Sequence, residues 1–314
     1  MMYNNDLKTA WTKANKTLDN LKLLGPEDLT PSFAAKSIIT LLQKVYFHHA
    51  VTDDLAALEK EISENTVLPW IMMQGTEPIA CATLITHSNG EIEIGRAVSI
   101  KPGTSAGTIT VLTAAKEAGN KLTATVRLAS EFEGIPTSIP AQKISFNMLK
   151  LTPHAVLPAF SHGSPTRIEL FACSDMHKGG SLFKLKNEFN KIASNNSKLF
   201  DINTSQREPF TSGYLCTSGE NIKDFVTNAR KKINHCTLVK VAVDAEYKYT
   251  YDYLLANNFI ISGYEQDIHN KLPYIILSTL GIGTTLAPIE LSENIPGSIR
   301  EEIKEVYSSL ISII

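Results

Sequence analysis

The sequence predicts an α+β protein made of two units that share an order of elements. Three observations carry this prediction. Residues 6–63 repeat apolar positions at helical spacing, and residues 67–100 switch to strand spacing around a hairpin signal. An order of strand, helix, strand, helix and two strands then occurs twice along the chain. The length of 314 residues is about twice the ~150-residue prior for one domain, so two units fit.

Leu7, Ala10, Trp11, Leu18 and Leu21 recur every three or four residues and predict one amphipathic helix over 6–24, stopped by Gly25 and Pro26. Thr30 before Pro31 reads as an N-cap and first helical residue. The stretch 30–63 is read as two helices, the second beginning near Asp53 or Asp54. The apolar runs Val67–Gln74 and Ile79–Thr86 flank a turn at Gly75 and Pro78. Asn89-Gly90 then forms the strongest hairpin signal in the chain, and Glu91–Ile100 alternates with period two. Residues 67–100 are therefore expected to be a three-stranded antiparallel meander. A Gly/Ser/Thr-rich loop, 101–107, leads into a helix over 108–118 with a stop at Gly119-Asn120. A strand at 122–129, a short helix at 140–150 and strands at 154–160 and 166–173 follow.

The polar segment 175–200 holds a helix near 182–193 and reads as a connection. Beyond it the order recurs: strand 212–217, helix 219–233, strand 237–244, helix 249–257, strands 259–265 and 272–280. Segments 145–174 and 251–280 align without a gap, yet share only the leucine at 149 and 255, so the repeat is one of pattern. A helix over 297–311 closes the chain. The expected division is a first unit 1–175, a connection 176–210 and a shorter second unit 211–314.

Composition excludes several classes of protein. Thirty Lys plus Arg against 32 Asp plus Glu leave no basic excess, so nucleic acid is not an expected partner. Cys81, Cys173, Cys216 and Cys236 form no CxxC or CxxH pair, and are expected to be buried thiols rather than zinc ligands. No metal site is expected. Tyr274–Leu291 is the most apolar stretch, but Gly281, Gly283, Pro288 and Glu290 interrupt it and suit a strand and loop better than a membrane span. With no signal-peptide pattern in residues 1–24, the expectation is a cytoplasmic protein without a membrane partner. GxSxG, HExxH and the full GxxxxGK[ST] motif are all absent, which disfavours an α/β-hydrolase, a zincin and a P-loop NTPase.

The segment Glu91–Gly119 is the most informative. It reads as a strand, then a loop carrying Gly103 and Gly107, then a helix whose free N–H groups and dipole suit a phosphate group. An ordinary strand-loop-helix turn would have the same composition. Glu93-Ile94-Gly95-Arg96 matches the E-x-G-R pattern on the central strand of GNAT-type N-acyltransferases. Thr104-Ser105-Ala106-Gly107-Thr108-Ile109 falls where that family carries its pyrophosphate loop Q/R-x-x-G-x-G/A. Only Gly107 matches, and the loop is one residue short. The order of elements over 30–173 resembles the family's, without its usual first strand. In the second half, Leu254–Tyr264 resembles the family's L-x-x-x-G-F-x-x-x-G-Y, with Asn258 at the first Gly and Gly263-Tyr264 matching the end. Residues 212–280 then resemble a truncated second GNAT-like unit that lacks the front meander and the phosphate loop.

The resemblance implies a mixed, mostly antiparallel sheet flanked by helices. It implies acyl transfer from acetyl-CoA or another acyl-CoA, as co-substrate, to the amine of a small molecule or amino acid. The attacking amine must lose a proton, so a carboxylate is needed near the central strand. Glu93 is preferred and Glu91, two residues away on the same face, is the second candidate; both could equally sit on a solvated face. The backbone of Val98, Ser99 and Ile100 would give the thioester carbonyl its donor. Gly103, Thr104, Ser105, Ala106, Gly107 and Thr108 would hold the pyrophosphate. The family often places an acidic Tyr on the helix after the fifth strand; 136–150 has none, and Ser145 is the nearest hydroxyl. Tyr249, Tyr251 and Tyr253 in the second unit read as packing and surface residues. Arg96, one of only six arginines, suits an ion pair or an acidic substrate. His48, His49 and Asp53 resemble the HHxxxD motif of chloramphenicol-acetyltransferase-like enzymes, but Asp54 replaces the Gly that follows and those folds lack a meander with a phosphate loop.

Two rivals stay open: a GNAT-fold transferase with a carrier-protein or aminoacyl-tRNA donor, and a non-catalytic binding protein on a degenerate GNAT fold. A homodimer is also left open.

Overall fold

The computed structural model describes residues 3–46, 54–88, 90–119, 122–128, 131, 137–158, 168–174, 181–195, 197–207, 210–266 and 273–313. The fold is α+β. The chain divides into two compact units, one of Met1–Thr125, Glu131–Thr152 and Cys173–Met176, the other of Val126–Ser130, Pro153–Ala172 and His177–Ile314. This division counts residues 153–172 with the second unit, where the sequence reading had placed them in the first.

The first unit begins with α1 (Asn4–Thr17), β1 (Leu21–Leu24), a 3-10 turn (Pro26–Asp28), α2 (Pro31–Tyr46) and α3 (Leu55–Ser63). The helix expected over 6–24 is thus shorter. Leu18 is already extended and Asn20 takes a φ of 54°, so Leu21–Leu24 turns into a strand against residues 71–74. Pairing with a neighbouring strand outweighs local helical periodicity there, and it supplies the first strand that the sequence concealed. The starts of α2 and α3 follow their caps. Asp54 Oδ1 accepts from the Ala56 N–H at 2.8 Å, and the Thr30 hydroxyl oxygen accepts from the Phe33 N–H at 3.4 Å.

The expected meander is present as β2 (Val67–Gln74), β3 (Glu77–Thr86) and β4 (Ile92–Ser99), each antiparallel to the next. Then come α4 (Ala106–Ala118) and β5 (Leu122–Arg127), and the sheet order is β1-β2-β3-β4-β5. Period two sends adjacent side chains to opposite faces. Ile71 and Met73 join Ile38, Leu41 and Leu58 of α2 and α3, while Met72 joins Ala10, Ala14, Ala106 and Ile109 of α1 and α4. The sheet is covered on both faces, so β2 from Val67 to Met73 and β3 from Ile79 to Ala82 are continuously apolar rather than alternating. The helix read at 140–150 is α5 (Ile139–Lys143) running into a π turn (Ile144–Met148).

In the second unit the strands are β6 (Thr152–Pro158), β7 (Ile168–Cys173), β8 (Asp201–Arg207), β9 (Phe210–Cys216), β10 (Cys236–Ala242), β11 (Ile260–Gln266) and β12 (Pro273–Leu280). Their sheet order is β7-β6-β11-β12-β10-β9-β8. The helices are α6 (Lys184–Phe189), α7 (Ile222–Lys231), α8 (Lys248–Ala256) and α9 (Gly297–Ser312). Phe189, Phe225, Tyr251, Phe259 and Ile275 centre its core. β8 lies inside the stretch read as a connection; its polar sequence hid a strand paired antiparallel to β9. The chain order β3, β4, α4, β5, α5, β6, β7 recurs as β8, β9, α7, β10, α8, β11, β12. Gly263 has a backbone reason: a Cβ there would lie 2.3 Å from the Ala155 Cα and the His154 carbonyl oxygen of β6.

Among the described residues, no helix is long and apolar enough to cross a membrane, and no group of three or more His, Cys, Asp or Glu could hold a metal ion. The four cysteines are free; Cys81 and Cys236 are buried, whereas Cys173 and Cys216 are only partly so, against the expectation of four buried thiols. Residues 48, 49 and 53 of the HHxxxD-like stretch, and the Asn89 of the hairpin, lie outside the described residues.

Candidate functional site

The first unit holds an opening in its sheet. β4 and β5 are parallel, and they pair only at Ile92↔Leu122 and Glu93↔Thr123. Ala124 and Thr125 come next in β5 without a partner in β4, although β4 runs on to Ser99. At ~3.3 Å per residue, the edge of β4 beyond Glu93 is about 20 Å long and unpaired by β5.

A bulge lies along that edge. Thr83 pairs with Gly95 and Cys81 with Val98, so Arg96 and Ala97 together oppose the single residue Ala82. Arg96 carries the irregularity with a φ of 47°, a conformation that costs a non-glycine residue about 1–3 kcal/mol. Two contacts hold it. The Cys81 thiol donates to the Arg96 carbonyl at 3.3 Å, and the Arg96 guanidinium lies 3.5 Å from the Glu61 carboxylate of α3. Bulges re-aim backbone groups, and this one does so on the open edge. Burial pushes the Cys81 thiol up to about 12, so it is no nucleophile.

The direction of each N–H follows from one bond. The Ile100 N–H donates to the Ile79 carbonyl at 2.9 Å, on the β3 side. Alternation therefore turns the Val98 N–H toward β3 as well, and the Ser99 and Ala97 N–H groups toward the open edge. Of the three residues expected to offer a donor, Val98 and Ile100 face the wrong way and Ser99 remains. Ala97, which the sequence reading missed, joins it; the bulge that re-aims it leaves no signature in a single sequence.

The loop after β4 is braced by its own side chains. The Ser99 hydroxyl oxygen accepts from the Lys101 N–H at 3.2 Å, and the Thr104 hydroxyl donates to the Lys101 carbonyl at 2.7 Å. Gly103 and Ser105 both adopt left-handed backbone, with φ of 79° and 71°. The Ser105 side chain caps nothing, and the first intrahelical bond runs from the Ile109 N–H to the Ser105 carbonyl at 3.0 Å. The N–H groups of Ala106, Gly107 and Thr108 thus precede the helix's own bonding. A Cβ on Gly107 would lie 3.2 Å from the Ser99 Cβ, so glycine lets the first turn of α4 sit close to the end of β4.

Glu93 is not a lone carboxylate. Its Oε2 lies 2.8 Å from the His87 Nε2, and its side chain is one quarter exposed. The hydrogen bond from Glu93, with the charges of Glu93 and Glu91 behind it, raises the His87 pKa above 6.5 against a smaller opposing effect of burial. His87 was absent from the sequence reading. Its signal lay in the hairpin: the His87 N–H donates to the Glu91 carbonyl at 2.9 Å, which makes Glu93 the diagonal cross-strand neighbour. Glu91 is half-buried at the start of this strand and contributes charge to the same cluster. Ser145 is buried in the π turn, its carbonyl accepting from the Leu151 N–H at 3.0 Å. Among the described residues no hydrogen bond ties it to Glu93 or to the loop 101–105.

The corresponding elements of the second unit differ. β9 and β10 pair over five residues, from Cys236↔Phe210 to Lys240↔Tyr214, against two for β4 and β5. The N-terminus of α7 is capped, with Asn221 Oδ1 accepting from the Lys223 N–H at 2.9 Å. Tyr251 is fully buried against Phe189, and Tyr249 is a surface residue.

No family model matches the chain, and no curated protein matches it in sequence. Solved GNAT-type N-acetyltransferases are similar to it. An N-acetyltransferase from Staphylococcus aureus Mu50 shares 14% identity at a TM-score of 0.39, covering 49% of this chain and 97% of its own. The Salmonella typhimurium protein yncA, solved with its cofactor acetyl-CoA, shares 13% at a TM-score of 0.38 and covers 51% and 98%. An acyl-CoA N-acyltransferase from Pseudomonas aeruginosa shares 12% at 0.33 and covers 50% and 99%.

Proposed function

We propose that the chain is a GNAT-type acyltransferase whose first unit moves an acetyl or other acyl group from acyl-CoA to the amine of a small molecule or amino acid. The observation that carries the reading is the parting of β4 from β5 after Glu93, with backbone donors along the exposed edge and uncapped N–H groups at the start of α4. An extended thioester arm fits such an edge as a strand would. The Ser99 and Ala97 N–H groups would donate to the carbonyl oxygen as it gains negative charge. The Ala106, Gly107 and Thr108 N–H groups would take the anionic end of the donor. No step depends on the missing Gln/Arg of the loop, because backbone groups do the binding.

Glu93 and His87 would manage the proton of the attacking amine. The carboxylate accepts it directly or through water, and His87 shares it across the 2.8 Å bond. The edge bears on reach: Ser99 is six residues from Glu93 and Ala97 four, so Ala97 is the donor better matched to a proton acceptor at Glu93. The second unit, with β9 and β10 paired over five residues and its helix capped, would serve recognition or support.

Acetyl-CoA titration followed by thermal unfolding tests the reading. Binding should raise the melting temperature by mass action. Glu93→Gln should then cut turnover at least about a hundredfold with donor affinity intact. Ser99→Pro removes an N–H aimed at the opening and should weaken the donor complex in a folded protein, whereas Ile100→Pro loses the bond to Ile79 and should unfold it. No thermal shift with acetyl-CoA, CoA or longer acyl-CoAs would overturn the proposal.

A further inference from the structure

The second unit contains a cavity of about 250 Å³ under α7, at the first residues of β9 and β10. Thr211 and Thr237 are partners in the parallel register, so their buried side chains stand side by side on its wall. Phe225 and Ala229 give it an apolar side. Lys232 reaches in half-buried, and its ammonium donates to the Thr211 hydroxyl oxygen at 3.2 Å. That oxygen is in turn 2.6 Å from the His235 Nε2, so the lysine rests on a neutral hydroxyl in a buried chain of polar groups.

Charge accounting then points outward. Among the described residues no carboxylate comes within ion-pair distance of Lys232 or of Lys231 at the rim. The one carboxylate on the wall, Glu220, accepts from the Asn228 amide at 3.4 Å instead. A partly desolvated ammonium facing a cavity, with no carboxylate within ion-pair distance, favours an anion, since water recovers only part of the lost solvation. The volume holds roughly eight waters and falls below the range of drug-sized pockets, which sets the ligand at metabolite size. The α7 residues on the wall run from Phe225 to Lys231 and the helix's N-terminus is capped by Asn221, so the cavity is no copy of the opening in the first unit.

We propose that this cavity binds a small organic carboxylate, its anionic group on Lys232 and the Thr211 hydroxyl and its carbon body against Phe225 and Ala229. Recognition of the anion is charge-assisted, and the apolar side adds affinity with each methylene buried. Neither feature depends on acyl transfer in the first unit.

The test is a ¹⁵N-amide NMR titration of the full chain with acetate, butyrate and benzoate up to about 20 mM. The expected result is saturable shifts at Thr211, Lys232 and Thr237, with butyrate and benzoate binding at least about threefold more tightly than acetate. Lys232→Met should weaken binding at least about tenfold and Lys232→Arg should restore it. Lys240→Met, which removes a lysine paired with Glu265 elsewhere on β10, should leave binding unchanged. Should Lys232→Met unfold the unit, Thr211→Val reads the same contact. Absence of saturable shifts with all three acids, or equal shifts from sodium chloride, would overturn the proposal.

Discussion

Replacing Gly263 by alanine probes the close approach of β11 to β6. The added Cβ would stand 2.3 Å from both the Ala155 Cα and the His154 carbonyl oxygen, and 2.5 Å from the Ala155 Cβ. These neighbours are backbone or backbone-bound atoms, so no side-chain rotation relieves the clash. Overpacking of this kind costs about 1–3 kcal/mol. The φ of +154° adds conformational strain that glycine does not feel, about 1–3 kcal/mol more. The combined loss should therefore be about 2–6 kcal/mol, or roughly 4–24 °C in the melting temperature of a unit this size. Circular dichroism melts and urea titrations measure it. Gly283→Ala is the control within the same unit: its φ is +75°, but the nearest neighbour of the added Cβ, the Asn234 Oδ1, would be 3.7 Å away. It should lose only the conformational part, about 1 kcal/mol. Equal losses from the two substitutions would refute the argument that backbone contact, rather than backbone angle, demands glycine at 263.

The His87–Glu93 pair should make stability depend on pH. The His87 pKa is raised above its ordinary 6.5 by Glu93, so its contribution is fully present below pH 6.5 and fades as pH rises through the folded value. Because the His87 side chain is 44% exposed, the amplitude should be no more than about 1 kcal/mol. His87→Gln should flatten that part of the pH–stability profile, and an unchanged profile would remove the pair as its origin. Iodoacetamide labelling of the native protein read by mass spectrometry should modify Cys173 and Cys216 well before Cys81, which is buried with its thiol pushed up to about 12. Equal labelling rates would show that the core around β3 opens freely.

Local signals were legible wherever one residue type has one physical use. Asp54 and Thr30 marked helix starts because their side chains bond free N–H groups, and Gly90 marked the hairpin because it takes a φ of 76°. The candidate site was legible as a segment, since Glu93 and the loop 101–107 bracket the strand that carries the opening. Two strands were not legible. Leu21–Leu24 continues a helical period, and Asp201–Arg207 is polar; each is a strand because a neighbour offers it a ladder of hydrogen bonds.

The sequence by itself determined the α+β class, the meander and the repeated order of elements, because periodicity and turn chemistry are properties of short stretches of chain. Only the tertiary structure decided which N–H groups face the opening, that β6 comes close enough to position 263 to require glycine, and that Lys232 looks into a cavity with no carboxylate within ion-pair distance. Those depend on register, on one extra residue in β4 and on side chains brought together from distant positions, and no local pattern encodes them.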